Sequence, residues 1–246
     1  MTEPNTLPPD DALTECGTIA ALRDAVQRDP DAWIHLNHGS VRTADEGAAE
    51  LARSPELTRV VKLTLHTNNM TDAGVASLAA SEFVTHVRTL DLSGNYLTHA
   101  AGAALATSKH FERLERIDLG YTPIGAAGAV ALSQARHLTT LRRLDLPRCH
   151  VKDEGAIALA TSPTLTGLRT LNIFNTNQVT AEGYRVLGMS RLDVWSRRDC
   201  LEEVPTRDLK ALAREHGLRG YSKLKKDALI EALLEITAAP QVAKAP

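Results

Sequence analysis

Large rings are scarce in this chain of 246 residues, which holds three Phe, two Trp and four Tyr. With so few, an aromatic side chain on an exposed face reads as a contact residue, because exposed aromatics and arginine dominate interface energy. Cysteine is nearly absent too. Cys16, Cys149 and Cys200 are odd in number and lack metal-ligand spacing, which excludes a recognisable zinc site and points to a reducing compartment. No apolar run approaches membrane-spanning length, and acidic and proline residues stand where a secretory leader needs a basic start. A cytoplasmic protein without a membrane partner is expected. Neither sign of charge prevails: 28 Lys and Arg face 30 Asp and Glu, and the net of -2 gives no global pull toward nucleic acid.

Catalytic wording is missing as well. Nine histidines are scattered, and although His35 and His38 are close, no cysteine or carboxylate completes a metal set. Gly125-Ala-Ala-Gly128 lacks the lysine of a phosphate loop. Cys149 and His150 adjoin, yet neighbours in a turn point differently. The expectation is a non-enzymatic protein with no cofactor and no metal.

What is present is a repeat. Leu65, Leu92, Leu119, Leu146 and Ile173 follow one another at 27 residues. Two residues before each stands Leu63, Leu90, Ile117, Leu144 or Leu171, so apolar residues alternate as in a short strand. Three residues after the second leucine, Asn68, Asn95, Thr122 and Cys149 offer a side-chain partner to the backbone of a turn, and one inserted residue shifts the fifth candidate to Asn177. Met70, Leu97, Ile124, Val151 and Val179 then open an i, i+4, i+8 pattern ending on Leu78, Leu105, Leu132, Leu159 and Leu187, with alanine and glycine between. That pattern predicts a helix docking closely on the next unit. Each unit is a strand, a turn and a helix that cannot bury its apolar face alone, and a period of this length means a solenoid.

The phrase Leu90-x-Leu-x-x-Asn-x-Leu97, with Gly155-Ala-Ile-Ala-Leu-Ala160, resembles the ribonuclease-inhibitor-like class of leucine-rich repeat, particularly its bacterial Gly-Ala-Leu-Ala variant. The resemblance covers about half of the chain. It implies an α/β solenoid with a parallel concave sheet, convex helices and protein binding as its usual task; it transfers no partner. A Ran-type GTPase activator also uses this repeat class, a remote alternative that nothing outside the repeats supports.

The chain divides accordingly. Residues 1–11, polar and proline-rich, read as a disordered tail, and 12–32 as an N-terminal capping helix with Ile19, Leu22 and Val26 on one side. Residues 33–196 make the solenoid, 197–205 a charged linker, 206–236 a two-helix module and 237–246 a second disordered tail.

Residues alternating with the inward leucines project from the concave sheet. One row reads Thr64, Asp91, Asp118, Asp145, Asn172 and Asp193, and beside it run Lys62, Thr89, Arg116, Arg143, Thr170 and Arg191. Rungs about 4.8 Å apart make an acidic ladder next to a partly basic one. One account is of mutually compensated, solvated charges worth under about 1 kcal/mol per pair. The other is a protein-recognition face of His66, Asp91, Arg116, Asp118, Arg143, Asp145 and Asp193 with Tyr121, Arg148, Phe174 and Trp195 as anchors.

After Ser196 the wording changes. Pro205-Thr206 opens a helix with Thr206 as N-cap, Leu209, Leu212 and Ala213 form its apolar face, and Gly217 ends it. Ser222 caps a second helix lined by Leu224, Leu229, Ile230, Leu233 and Leu234. The segment Leu209 to Ile230 resembles the helix-extended-loop-helix module of the Rho termination factor N-terminus and of SAP domains, through Leu209, Leu212, Ala213, Gly217, Gly220, Ser222, Leu224, Lys226, Leu229 and Ile230. Ala228 departs from the acidic residue often found there. The resemblance implies nucleic-acid binding, with Arg214, Arg219, Tyr221, Lys223, Lys225 and Lys226 as contacts. A docking or capping helical pair with solvated lysines is the competing account.

Taken together, the expected function is an adaptor holding a protein on its concave face, with a C-terminal module able to touch RNA or DNA. The alternatives are a nucleic-acid-binding protein in which the repeats are scaffold, and a protein-interaction scaffold alone.

Overall fold

The computed structural model of the chain describes residues 12–40, 44–173, 178–190, 192–194 and 197–238. Eight strands form one parallel sheet in sequence order: β1 (Thr14–Cys16), β2 (Ile34–Asn37), β3 (Val60–Thr64), β4 (Thr89–Asp91), β5 (Arg116–Asp118), β6 (Arg143–Asp145), β7 (Thr170–Asn172) and β8 (Asp193–Val194). Seven helices alternate with them: α1 (Ile19–Arg28), α2 (Ala44–Ala52), α3 (Asp72–Ala80), α4 (His99–Thr107), α5 (Gly125–Ser133), α6 (Lys152–Ala160) and α7 (Ala181–Met189). From β3 to β7 the pairing follows the 27-residue period without a slip. This is the leucine-rich-repeat solenoid that the periodicity predicts.

The inward columns close the core. Leu63, Leu90, Ile117, Leu144 and Leu171 are sealed from solvent, as are Leu78, Leu105, Leu132, Leu159 and Leu187 on the helices. At about 25 cal/mol per Å² of apolar surface buried, these columns are the main term holding the units together. The turn column acts as the sequence requires. Asn95 accepts from the N–H groups of Asn68 (2.9 Å) and Met70 (3.0 Å), and donates to the carbonyls of Leu65 (3.0 Å) and Leu92 (2.8 Å). Cys149 donates its thiol to the Leu119 carbonyl at 3.0 Å, and burial pushes that thiol up to about 11. A thiol so protonated is a structural group, not a nucleophile.

Two further ladders escaped the sequence reading. Asp45, Asp72 and Asp153 each reach from one helix to cap the next. Asp45 accepts from the Thr71 N–H (2.8 Å), the Thr71 hydroxyl (2.6 Å) and the Gly74 N–H (2.9 Å), Asp72 repeats this on Thr98 and Ala101, and Asp153 holds Thr180. Carboxylates at helix N-termini satisfy orphan donors and favour the dipole. At the other helix ends the hydroxyls of Ser81, Ser108 and Ser162 donate to the carbonyls of Ala52, Ala79 and Ser133. Between α4 and α5 the backbones nearly touch: a Cβ on Gly102 would lie 2.8 Å from the Gly128 Cα. Only glycine fits there.

Both ends of the solenoid differ from expectation. The N-terminal segment opens with β1, a strand added to the sheet edge with Cys16 alone facing the core, too short to leave a period; α1 follows, capped by the Thr18 hydroxyl accepting from the Ala21 N–H at 3.0 Å. At the other end Asp193 pairs with Thr170 and Val194 with Leu171. Asp193 thus joins the Lys62 row and not the Thr64 row. A two-residue slip keeps every side chain on its own face, so alternation alone cannot detect it. Its side chain, like Phe174, Asn177, Arg191 and Trp195, lies outside the described residues.

The segment 197–205 is not a plain linker, because α8 (Arg197–Glu202) occupies it. Its charged residues hid three apolar ones, and Cys200, Leu201 and Val204 are buried. Leu201 and Val204 share a core with Leu209, Leu212 and Ala213 of α9 (Thr206–Glu215) and with Leu229, Ile230 and Leu233 of α10 (Lys226–Ala238). Tyr184 and Met189 of α7 pack on that core, so the module closes the end of the solenoid. Thr206 is the first helical residue, after Pro205, and caps nothing with its side chain. Ser222 lies in a 3-10 turn (Tyr221–Lys223) ahead of α10, so it is not a cap. Of the expected tails, 1–11 and 239–246 lie outside the described residues, whereas Thr237 and Ala238 continue α10.

Candidate recognition surfaces

The concave sheet presents its two polar rows as the pleat dictates, but their carboxylates serve different ends. Asp145 is buried. It accepts from Arg143 through Nε (2.8 Å) and Nη2 (2.9 Å) and from the Asn172 amide (3.2 Å), and it stands 3.3 Å from Arg116. Asp91 accepts from the N–H (3.0 Å) and hydroxyl (2.7 Å) of Ser93, and Asp118 from the Gly120 N–H (2.9 Å), so both tie down the turn leaving their own strand. Burial pushes the Asp118 carboxyl above the ordinary range; Asp91 and Asp145 add to this, while the Gly120 N–H and Arg116 oppose it. The compensated-row account therefore describes Asp145 with its two arginines. Asp91 and Asp118 remain half-buried and face a groove of about 320 Å³ whose lining includes His35, Lys62, His66 and Arg116. The His66 ring lies against Gly39, where an added Cβ would be 2.4 Å from Nε2.

Beyond the strands lies a rim of turn residues. Tyr121 is 61% exposed, and the Arg148 guanidinium sits 5.5 Å from its ring centroid. Both have left-handed backbones, φ 59° and 56°, at the place where the preceding unit has Gly94 at 66°. Sequence reading missed Tyr96, which is 67% exposed. Its signal was available, since Tyr96, Pro123 and His150 share one repeat position and all three are exposed.

In the C-terminal module, Arg219 and Lys225 bracket the 3-10 turn, Lys223 ends it, and all three, with Arg214 at the end of α9, are exposed. Among the described residues none of these four side chains has a hydrogen-bond or ion-pair partner. Lys226 differs, because its ammonium donates to the Glu202 carbonyl and ties α10 to α8. Tyr221 is half-buried on the module core with Leu218 and Leu224, which limits the ring face free for stacking. Arg198 of α8 pairs with Glu202 (2.9 Å) and with Glu231 of α10.

Among the described residues no three His, Cys, Asp or Glu side chains converge to hold a metal, and no helix is long and apolar enough to cross a membrane. Comparison with curated proteins finds no match. Comparison with protein families finds the leucine-rich repeat at residues 85–106, 114–133 and 137–160, and the Rho termination factor N-terminal domain at 201–239. The second match starts at Leu201, where the module's core starts. Repeats of the first type suggest protein interaction and a domain of the second type nucleic-acid binding. The chain thus carries leucine-rich repeats and, closing the last of them, a module of the Rho termination factor N-terminal type.

Proposed function

We propose that this chain is a non-enzymatic adaptor of the reducing cell interior, which holds a protein on the concave face and adjoining rim of its repeats and touches nucleic acid with its C-terminal module. The observation that carries this reading is that two exposed surfaces of different chemistry are fixed on one body. Tyr96, Tyr121 and Arg148 offer the residue types of interface hot spots at the rim, with Asp91, Asp118 and Arg116 beside them. Arg219, Lys223 and Lys225 offer cations just ahead of the N-terminus of α10, where the helix dipole favours phosphate, and Arg214 adds a fourth at the end of α9. Four phosphate contacts imply a salt slope of only about -3 on a single strand, so the module alone binds weakly.

The test uses the intact chain, because the module core includes Leu201 and Val204 and rests on α7. Fluorescence anisotropy with single-stranded RNA, single-stranded DNA and duplex DNA at two salt concentrations should give binding that weakens in an Arg219→Ala, Lys223→Ala, Lys225→Ala variant. Unchanged binding would remove the module from the nucleic-acid role. Crosslinking capture of proteins by the wild type and by Tyr121→Ala, Arg148→Ala tests the other surface, and identical capture would reject it.

A further inference from the structure

The edge of the sheet at the N-terminal ends of the strands carries a charge pattern that the concave face above includes only in part, through Lys62, Arg116 and Arg143. Arg88, Glu115, Arg142 and Arg169 occupy successive rungs just ahead of β4, β5, β6 and β7. Their backbones are joined directly: the Glu115 N–H donates to the Arg88 carbonyl (2.8 Å), the Arg142 N–H to that of Glu115 (2.8 Å) and the Arg169 N–H to that of Arg142 (2.9 Å). The row on one side is Lys62, Thr89, Arg116, Arg143 and Thr170, and the repeat position on the other side holds Arg59, His86 and Arg113. Across these three rows stand eight Lys or Arg against one Glu, in a chain whose net charge is -2. Only part of this charge is answered. Arg116 and Arg143 meet Asp145, and Arg88 meets Glu115 at 3.5 Å, but Arg142 and Arg169 are exposed on adjacent rungs and, among the described residues, have no ion pair. Like charges stacked in register repel, so the fold gains nothing from this arrangement. The potential is felt locally: burial, then the charges of Arg113 and Arg59, push the His86 imidazole below its ordinary value.

We infer that this arginine edge is a second binding surface, and that it takes the phosphate backbone of a nucleic-acid strand. Seven of the eight cations are arginine, whose planar fork matches phosphate oxygens. The rungs from Arg88 to Arg169 span roughly 14 Å in a straight line, suited to an extended polyanion. A protein partner would need a desolvated apolar centre. Among the described residues this edge has none, because the large exposed apolar side chains there, Tyr96 and Tyr121, lie beyond the opposite ends of the strands, and Trp33 is covered by Arg59 at 4.3 Å and His86 at 5.1 Å. The inference stands apart from the reading of the C-terminal module.

The experiment is a salt titration of the full chain against a fluorescein-labelled single-stranded oligonucleotide, with Arg142→Ala/Arg169→Ala, Arg142→Lys/Arg169→Lys and the triple alanine variant of the module as separate arms. Loss of two phosphate contacts should lower the salt slope by about 1.4, with weaker binding at low salt and retention in the lysine variant. Wild-type affinity and slope in the double alanine variant overturn the inference even if the module variant loses binding, and the converse result rejects the module alone. Failure of the wild-type chain to bind overturns it as well. So does a poly-glutamate probe whose binding, and not that of the oligonucleotide, responds to the two arginines. Thermal unfolding of each variant confirms that both exposed substitutions leave the fold intact.

Discussion

Tyr121 and Arg148, one repeat apart, are both held in the left-handed backbone region, and the guanidinium of one stands 5.5 Å from the ring centroid of the other. A residue with a Cβ pays about 1 kcal/mol or more there, and an exposed cation–π pair returns about 0.5 to 1 kcal/mol. The same position holds Thr67 at φ 56° and Gly94 at φ 66° in the two preceding units, so the turn itself is left-handed throughout and glycine is the residue that meets it without strain.

From this follows a paired substitution. Tyr121→Ala keeps the strained backbone and loses the pair, and should lower stability by about 0.5 to 1 kcal/mol. Tyr121→Gly removes both and should be about 1 kcal/mol more stable than the alanine variant. Urea unfolding of the two proteins measures the difference; equal midpoints would mean the turn is unstrained.

Asp118 predicts a pH dependence. Its folded carboxyl binds its proton more tightly than in the unfolded chain, so in the window from the ordinary carboxylate value up to the raised folded value the native state holds more protons. Stability contributed by this group therefore falls as pH rises through that window. Asp118→Asn, which keeps an oxygen for the Gly120 N–H, should raise the urea midpoint at neutral pH and change it little at about pH 4. A midpoint lowered at neutral pH would show that attraction to Arg116 outweighs burial.

Asn95 serves four backbone groups of the turn ladder at 3.0 Å or less. Asn95→Ala leaves two carbonyls and two N–H groups without their partner inside the core. At about 1 to 3 kcal/mol for each buried group unmet by water, a loss of 3 kcal/mol or more is expected. Denaturant unfolding checks it, and a cost under about 1 kcal/mol would imply that water enters the turn.

Ending the chain after Val204 tests the closing role of the module. Leu201, Val204, Tyr184 and Met189 would lose their cover. The expected cost is about 3 kcal/mol, or roughly 6 to 12 °C in Tm. An unchanged Tm would make the module a tethered arm.

Much of this protein is legible without coordinates. Leu63 to Leu171 at a constant interval determine strand, rung and core together, because a unit that cannot bury its own face has one place for it, against the next copy. The row carrying Asp91, Asp118 and Asp145 follows from the same period. What each carboxylate does there is another matter. Asp145 is engaged by arginines on its own rung and the one before, whereas Asp118 turns to its own chain, and a repeating position does not distinguish the two. The reversal of the linker, the slip at Asp193 and the seating of Lys226 on Glu202 are also decisions of the tertiary structure. They occur where the period stops, so that packing of α7, α8 and α10 against one another, and no longer a copied register, chooses which apolar residues are covered.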